Sequence, residues 1–139
     1  MQYPPAGTYV FRYSLSAARG DWKATKAYRT GMNFNNPLQP VSVVDRLSSK
    51  SLPPTRSFGS FTADNLVLSA VKKADQDASI LVRLYEIEGR SAETPAEFLG
   101  QKREFREVNL LEEDAGPAGQ RLLKLGPCQI KTIRLQPPR

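Results

Sequence analysis

Apolar positions along the chain recur mostly with a period of two. Tyr9, Phe11, Tyr13 and Leu15 fall on one side of an alternating stretch, with Val10, Arg12 and Ser14 on the other, which predicts a half-buried strand. Arg19-Gly20-Asp21-Trp22 reads as a turn, and Asp21 is placed to cap one short helix near residues 22–30 that Gly31 would stop. Asn35-Asn36-Pro37 carries turn chemistry, and residues 41–44 form a short apolar run read as a strand. Residues 46–56 are polar, contain a proline pair and show no periodicity, the signature of a linker.

Beyond it, strands are predicted in quick succession. Residues 58–61 give a short one, and Leu66, Leu68 and Ala70 alternate with Val67, Ser69 and Val71. Residues 74–77 make a hairpin connection into Ile80, Val82 and Leu84, opposed by Leu81, Arg83 and Tyr85, and Gly89 ends that strand. Residues 92–99, 105–111, 122–125 and 129–135 supply the remainder, with a loop around Gly116-Pro117. Short strands at close spacing predict an all-β fold, an antiparallel β-sandwich with at most the one short helix. The organisation this implies is a terminal segment over 1–47, a linker over 48–56 and a small sandwich domain over 57–139.

Composition then narrows the chemistry. The 139 residues include no histidine and one cysteine, Cys128. The usual general base and the commonest metal ligand are therefore missing, as is any partner for a Cys-His device or an internal disulfide. No apolar run approaches the roughly 20 residues that span a bilayer, and the N-terminus lacks the charged and apolar regions of a secretion signal. The expectation is a soluble, cytoplasmic chain or a piece of a longer one.

Twenty Lys and Arg against 14 Asp and Glu leave a net charge of +6. The basic residues form scattered clusters, Arg19, Lys23, Lys26 and Arg29, then Lys72 and Lys73, then Lys102, Arg103 and Arg106, interleaved with acids in the second half. Tyr9, Phe11, Arg12 and Tyr13 have the types that stack bases, but a strand facing a core explains them more simply. A nucleic-acid partner is not predicted, and neither is a membrane.

Three stretches carry a family resemblance. FTADNLVLSAVKKADQDASILVRLYEIEG over 61–89, EVNLLEE over 107–113 and LGPCQIKTIRL over 125–135 resemble, in order and spacing, the C-terminal region of glycoside hydrolase family 38, the α-mannosidases. Upstream, Phe11-Arg12-Tyr13-Ser14-Leu15, Gly20-Asp21-Trp22 and Asn35-Asn36-Pro37-Leu38 are similar to the segment that precedes the family's last domain. Two departures stand out: Ala17-Ala18-Arg19 where the family often has a histidine before Gly-Asp-Trp, and Cys128 in place of a bulky aromatic.

The resemblance implies retaining hydrolysis of terminal α-mannosidic bonds by a zinc site of His and Asp residues in an N-terminal α/β domain. A chain without histidine cannot supply that site, so the resemblance implies a non-catalytic β-sandwich region with no catalytic, cofactor or metal residues of its own. Its implied partners are the catalytic and large β domains of a parent enzyme, with mannosides and self-association as further candidates. A free-standing carbohydrate-binding module is the alternative, and a basic nucleic-acid-binding domain ranks behind it.

Individual residues weigh the same way. Glu86 and Glu88 lie two apart at a strand end, roughly 7 Å along the chain, against the about 5–5.5 Å that retaining glycosidases use. A solvated strand end is the simpler reading. Glu112-Glu113-Asp114 reads as a charged turn, Cys128 as a small buried apolar residue, and Lys72-Lys73 and Lys102-Arg103 as solvated surface. Trp22 is the one candidate for substrate contact, as a platform for a sugar ring, against a role anchoring a core.

Overall fold

The structure is a computed structural model that describes residues 6–42 and 53–136. The chain forms two units, Met1–Ser48 and Ser49–Arg139. The predicted linker over 48–56 (46–56 by composition) falls largely outside the described residues, as do Val43 and Val44 of the predicted 41–44 strand, and Val41 is exposed and in no strand.

In the N-terminal unit the predicted strand over residues 9–15 is absent. These residues are in no strand, and Tyr9, Phe11, Tyr13 and Leu15 are 53%, 83%, 92% and 97% exposed. Alternation alone does not make a strand, because its N–H and C=O groups need a neighbouring strand, and none among the described residues pairs here.

The helix lies later than predicted. Asp21 does cap a first turn, accepting the Ala24 N–H at 2.7 Å while its carbonyl accepts Thr25 N–H at 3.1 Å. Lys26 then adopts a left-handed φ of 51°, so the α-helix proper, α1, runs over Ala27–Asn35. Gly31 sits inside it. The stop comes from Asn36, whose backbone N–H and side-chain amide both bond to the Met32 carbonyl, and from Pro37, which disfavours the helical conformation in the residue before it. None of residues 6–42 is buried, so Trp22, 46% exposed, anchors no core here.

Among the described residues the C-terminal unit carries nine strands: β1 Gly59–Ser60, β2 Leu66–Lys73, β3 Ile80–Glu86, β4 Ala92–Pro95, β5 Glu97–Phe98, β6 Gln101–Lys102, β7 Phe105–Val108, β8 Leu122–Leu125 and β9 Ile130–Leu135. They form a four-stranded sheet in the order β2-β3-β9-β7, a β4-β8 pair and a β1-β5-β6 sheet, all antiparallel. The fold is an all-β sandwich, as the alternation predicts.

The core is the meeting of two layers. Val82 and Leu84 of β3, Ile133 and Leu135 of β9 and Phe105 of β7 face Ala92 of β4 and Leu123 and Leu125 of β8, with Ala96 between. Register explains who is inside: Val82 pairs with Ile133, Phe105 with Leu135 and Ala92 with Leu125, so each inward residue meets another across its ladder. Thr94 is fully buried beside Leu123, and its hydroxyl is satisfied by the Thr62 N–H at 2.8 Å and the Pro95 carbonyl at 3.1 Å. On the other side of the large sheet Ala74, Leu81 and Val108 make a smaller cluster.

Two predicted strands end early. Residues 92–99 are split at Ala96 into β4 and β5, which belong to different sheets. The strand begun by Phe105 stops at Val108, because the Asn109 side chain accepts the N–H groups of Leu111 at 2.9 Å and Glu113 at 3.0 Å and folds a turn; Leu110 and Leu111 stay exposed. The 74–77 connection forms as read, closed by Ala74 N–H to the Ser79 carbonyl and by Asp77 accepting the Ser79 N–H.

Leu123→Ala, at a fully buried site, is expected to cost about 2–5 kcal/mol in urea unfolding. Ile130→Ala, at an exposed site of a core strand, should cost no more than about 0.5 kcal/mol. Equal losses would mean that the two layers do not pack as described.

Candidate functional site

The densest polar constellation lies at the end of β3. The period-two pattern puts Glu86 on the same face as Val82 and Leu84, and the structure buries it to 2% exposure. A carboxylate there must find donors or lose its charge. It finds four. Oε1 accepts the Asn65 side-chain amide at 2.8 Å and the Glu88 N–H at 2.7 Å. Oε2 accepts the N–H groups of Gly89 and Cys128, each at 2.8 Å.

Local chain geometry supplies those donors. Gly89 has φ +74°, the left-handed conformation that glycine tolerates, and Cys128 has φ +56° in the turn that opens β9. That turn is closed by Gln129, whose side chain accepts the Gly126 N–H at 2.8 Å. The result is an anion nest of backbone N–H groups occupied by the protein's own carboxylate. Burial by itself would push the Glu86 carboxyl upward. The N–H groups of Cys128, Glu88 and Gly89 and the Asn65 amide outweigh it and hold the group at about 2, below its ordinary 4.5.

Glu88 is buried as well, and accepts Arg90 Nε at 2.9 Å; Arg90 in turn pairs with Asp64. The solvated strand end expected of Glu86 and Glu88 is therefore corrected. β3 ends at Glu86, so the alternation that would set both carboxylates on one face does not reach Glu88. Glu86 is ionised at neutral pH with its acceptor sites filled, which leaves it no proton to donate and no lone pair for a substrate.

Cys128 is exposed, contrary to the expected buried position, because the turn lends its backbone N–H inward and turns its side chain out. The acids of 112–114 are dispersed. Glu112 pairs with Lys72 at 2.5 Å and accepts the Asp75 N–H, Glu113 bonds to Asn109 at 2.7 Å, and Asp114 pairs with Arg106 and Arg134. Lys72 is held above its usual value chiefly by its bond to Glu112 and then Asp75. Further basic groups are matched: Arg121 with Glu104, Lys124 with Glu93 and Lys131 with Glu107. Lys72 and Arg106 are thus ion-paired.

Trp22, the candidate for substrate contact, sits at the rim of a concavity of about 360 Å³ with Ala17, Ala18, Gly20 and Thr30, and Lys23 Nζ lies 5.5 Å from its ring. Sequence reasoning missed Asn65 and the Gln129 turn. It also had the signal for a buried Glu86, which continues the inward face of Val82 and Leu84.

Residues 65–133, the span from Asn65 into β9, match the family model for the glycosyl hydrolases family 38 C-terminal beta sandwich domain. The C-terminal unit belongs to this family. The match covers all five residues that furnish or receive the Glu86 hydrogen bonds, Asn65, Glu86, Glu88, Gly89 and Cys128. It does not extend over residues 1–64. A search of curated proteins found no match.

Because Glu86 is depressed from 4.5 to about 2, its stabilising contribution is complete above the unfolded value and is lost as pH falls through that window, where only the unfolded chain takes up the proton. Glu86→Gln should flatten the stability–pH profile there, and Glu86→Ala should cost about 3 kcal/mol at neutral pH. Overlapping acid-unfolding curves for wild type and Glu86→Gln would refute the assignment.

Proposed function

We propose that the chain is a non-catalytic supporting region of a family 38 glycosyl hydrolase, which packs against the enzyme's larger domains and holds them in place. The observation that carries this reading is the unequal completion of the two units. The C-terminal unit closes its own core, whereas the N-terminal unit presents Tyr9, Phe11, Tyr13 and Leu15 in strand-like alternation, each more than half exposed. Clustered exposed apolar side chains of this kind mark a surface that another surface covers. The similarity of this stretch to the segment preceding the family's last domain supports the larger β domain as that surface.

The parent activity we infer is hydrolysis of terminal α-mannosidic bonds, with zinc held by the catalytic domain. No histidine in this chain fits the family's ligand set. The carbohydrate-module reading needs exposed, coplanar aromatics on one sheet face. In the C-terminal unit Phe61, Phe98 and Phe105 pack with the core, Tyr85 on the outer face of β3 is half-buried, and Phe58 is the one exposed aromatic among the described residues.

The purified chain should not turn over an aryl α-mannoside with zinc added, and should give no saturable heat with mannose. It should form a complex with a family 38 enzyme truncated before its C-terminal region, and Phe11→Ser with Tyr13→Ser should abolish that complex. Turnover by the chain alone, or binding indifferent to the double substitution, would defeat the reading.

A further inference from the structure

The large sheet has an uncovered margin. β2 is one of its two edge strands and, among the described residues, is hydrogen-bonded on one side only, to β3. Its eight residues are exposed from Leu68 onward. An edge of that length offers a free row of N–H and C=O groups to another strand.

The edge carries two features that discourage random pairing, a bulge at Ser69 and the charges of Lys72 and Lys73. The bulge also has a constructive effect. Leu68 pairs with Leu84 and Val71 with Val82, and both partners belong to the core. Leu68 and Val71 therefore share the core face, although residues three apart on a regular strand point to opposite faces. They are 47% and 53% exposed, at the margin where the second layer no longer covers the sheet.

We propose that this edge joins two copies of the chain, β2 against β2, antiparallel about a two-fold axis between Ser69 and Ala70. In that register Leu68 lies opposite the partner's Val71, and Val71 opposite the partner's Leu68. The two exposed apolar residues cover each other and continue the core face across the junction. No other register of the strand with itself sets these two residues in direct opposition. In this register Asp64 lies opposite the partner's Asp75, and both are already matched within their own copy, Asp64 by Arg90 and Asp75 by Lys72. Lys72 is already matched by Glu112 and Asp75 and does not repel across the axis. The proposal is independent of the supporting role inferred above.

Sedimentation equilibrium of the chain should show a concentration-dependent dimer, and Val71→Lys should weaken it by at least about tenfold. Cysteine pairing tests the register without relying on that variant's folding. Leu68→Cys and Val71→Cys, each combined with Cys128→Ser, should form a disulfide dimer under mild oxidation when mixed and not when oxidised separately. A monomer at every concentration would overturn the proposal. So would cross-linking of either cysteine variant with itself alone, or a dimer that survives Val71→Lys and is lost with Phe11→Ser and Tyr13→Ser. Loss of the dimer alone leaves binding to the truncated family 38 enzyme, and hence the supporting role, intact.

Discussion

A carboxylate taken out of water at the end of β3 organises one end of the sandwich. Glu86 accepts from Asn65, just before β2, from Glu88 and Gly89 in the turn after β3, and from Cys128 in the turn before β9. Three chain segments far apart in sequence are thereby fixed to a single charge. Each backbone N–H in those turns would otherwise lack a partner, and the charge would otherwise be unsolvated, so neither side is stable without the other. The Ile87 N–H to Asn65 carbonyl and Glu86 N–H to Gln129 carbonyl bonds then continue from the same point. Residues that in another setting would suggest acid–base chemistry are here consumed by structure.

From that anchored end the sandwich is filled by ordinary packing. Inward residues of β3 and β9 meet those of β4 and β8, and Leu84, Leu123 and Ile133 lose all contact with water. The middle of the large sheet is thus complete, and its unfinished parts lie at the margin, along β2. The bulge there converts a strand of mixed facing into one with a consistent apolar face, which is why the edge is selective and not merely sticky.

The N-terminal unit follows another logic. Its helix is capped at its end by Asn36 but buries nothing, and its aromatic row faces water. The supporting role proposed above builds on this contrast between core-like composition and the lack of any buried side chain among the described residues 6–42. A domain of family 38 joined to such a segment is consistent with the proposed role of holding neighbours together.

The period-two alternation and the turn residues were enough to determine an all-β fold with one short helix, most of its strand positions in the C-terminal unit and the 74–77 hairpin. These are local properties, set by side-chain type and spacing. The resemblance in residues 61–135 was legible for the same reason. Tertiary structure alone decided that residues 9–15 are not a strand, because a strand exists only with a neighbour to bond to. It also decided that Glu86 and Glu88 are buried and Cys128 exposed, since burial depends on which distant turn arrives at the same place. Asn65 and Cys128 stand far apart in the chain, and only the folded ladder of β2, β3 and β9 brings their donors to one carboxylate.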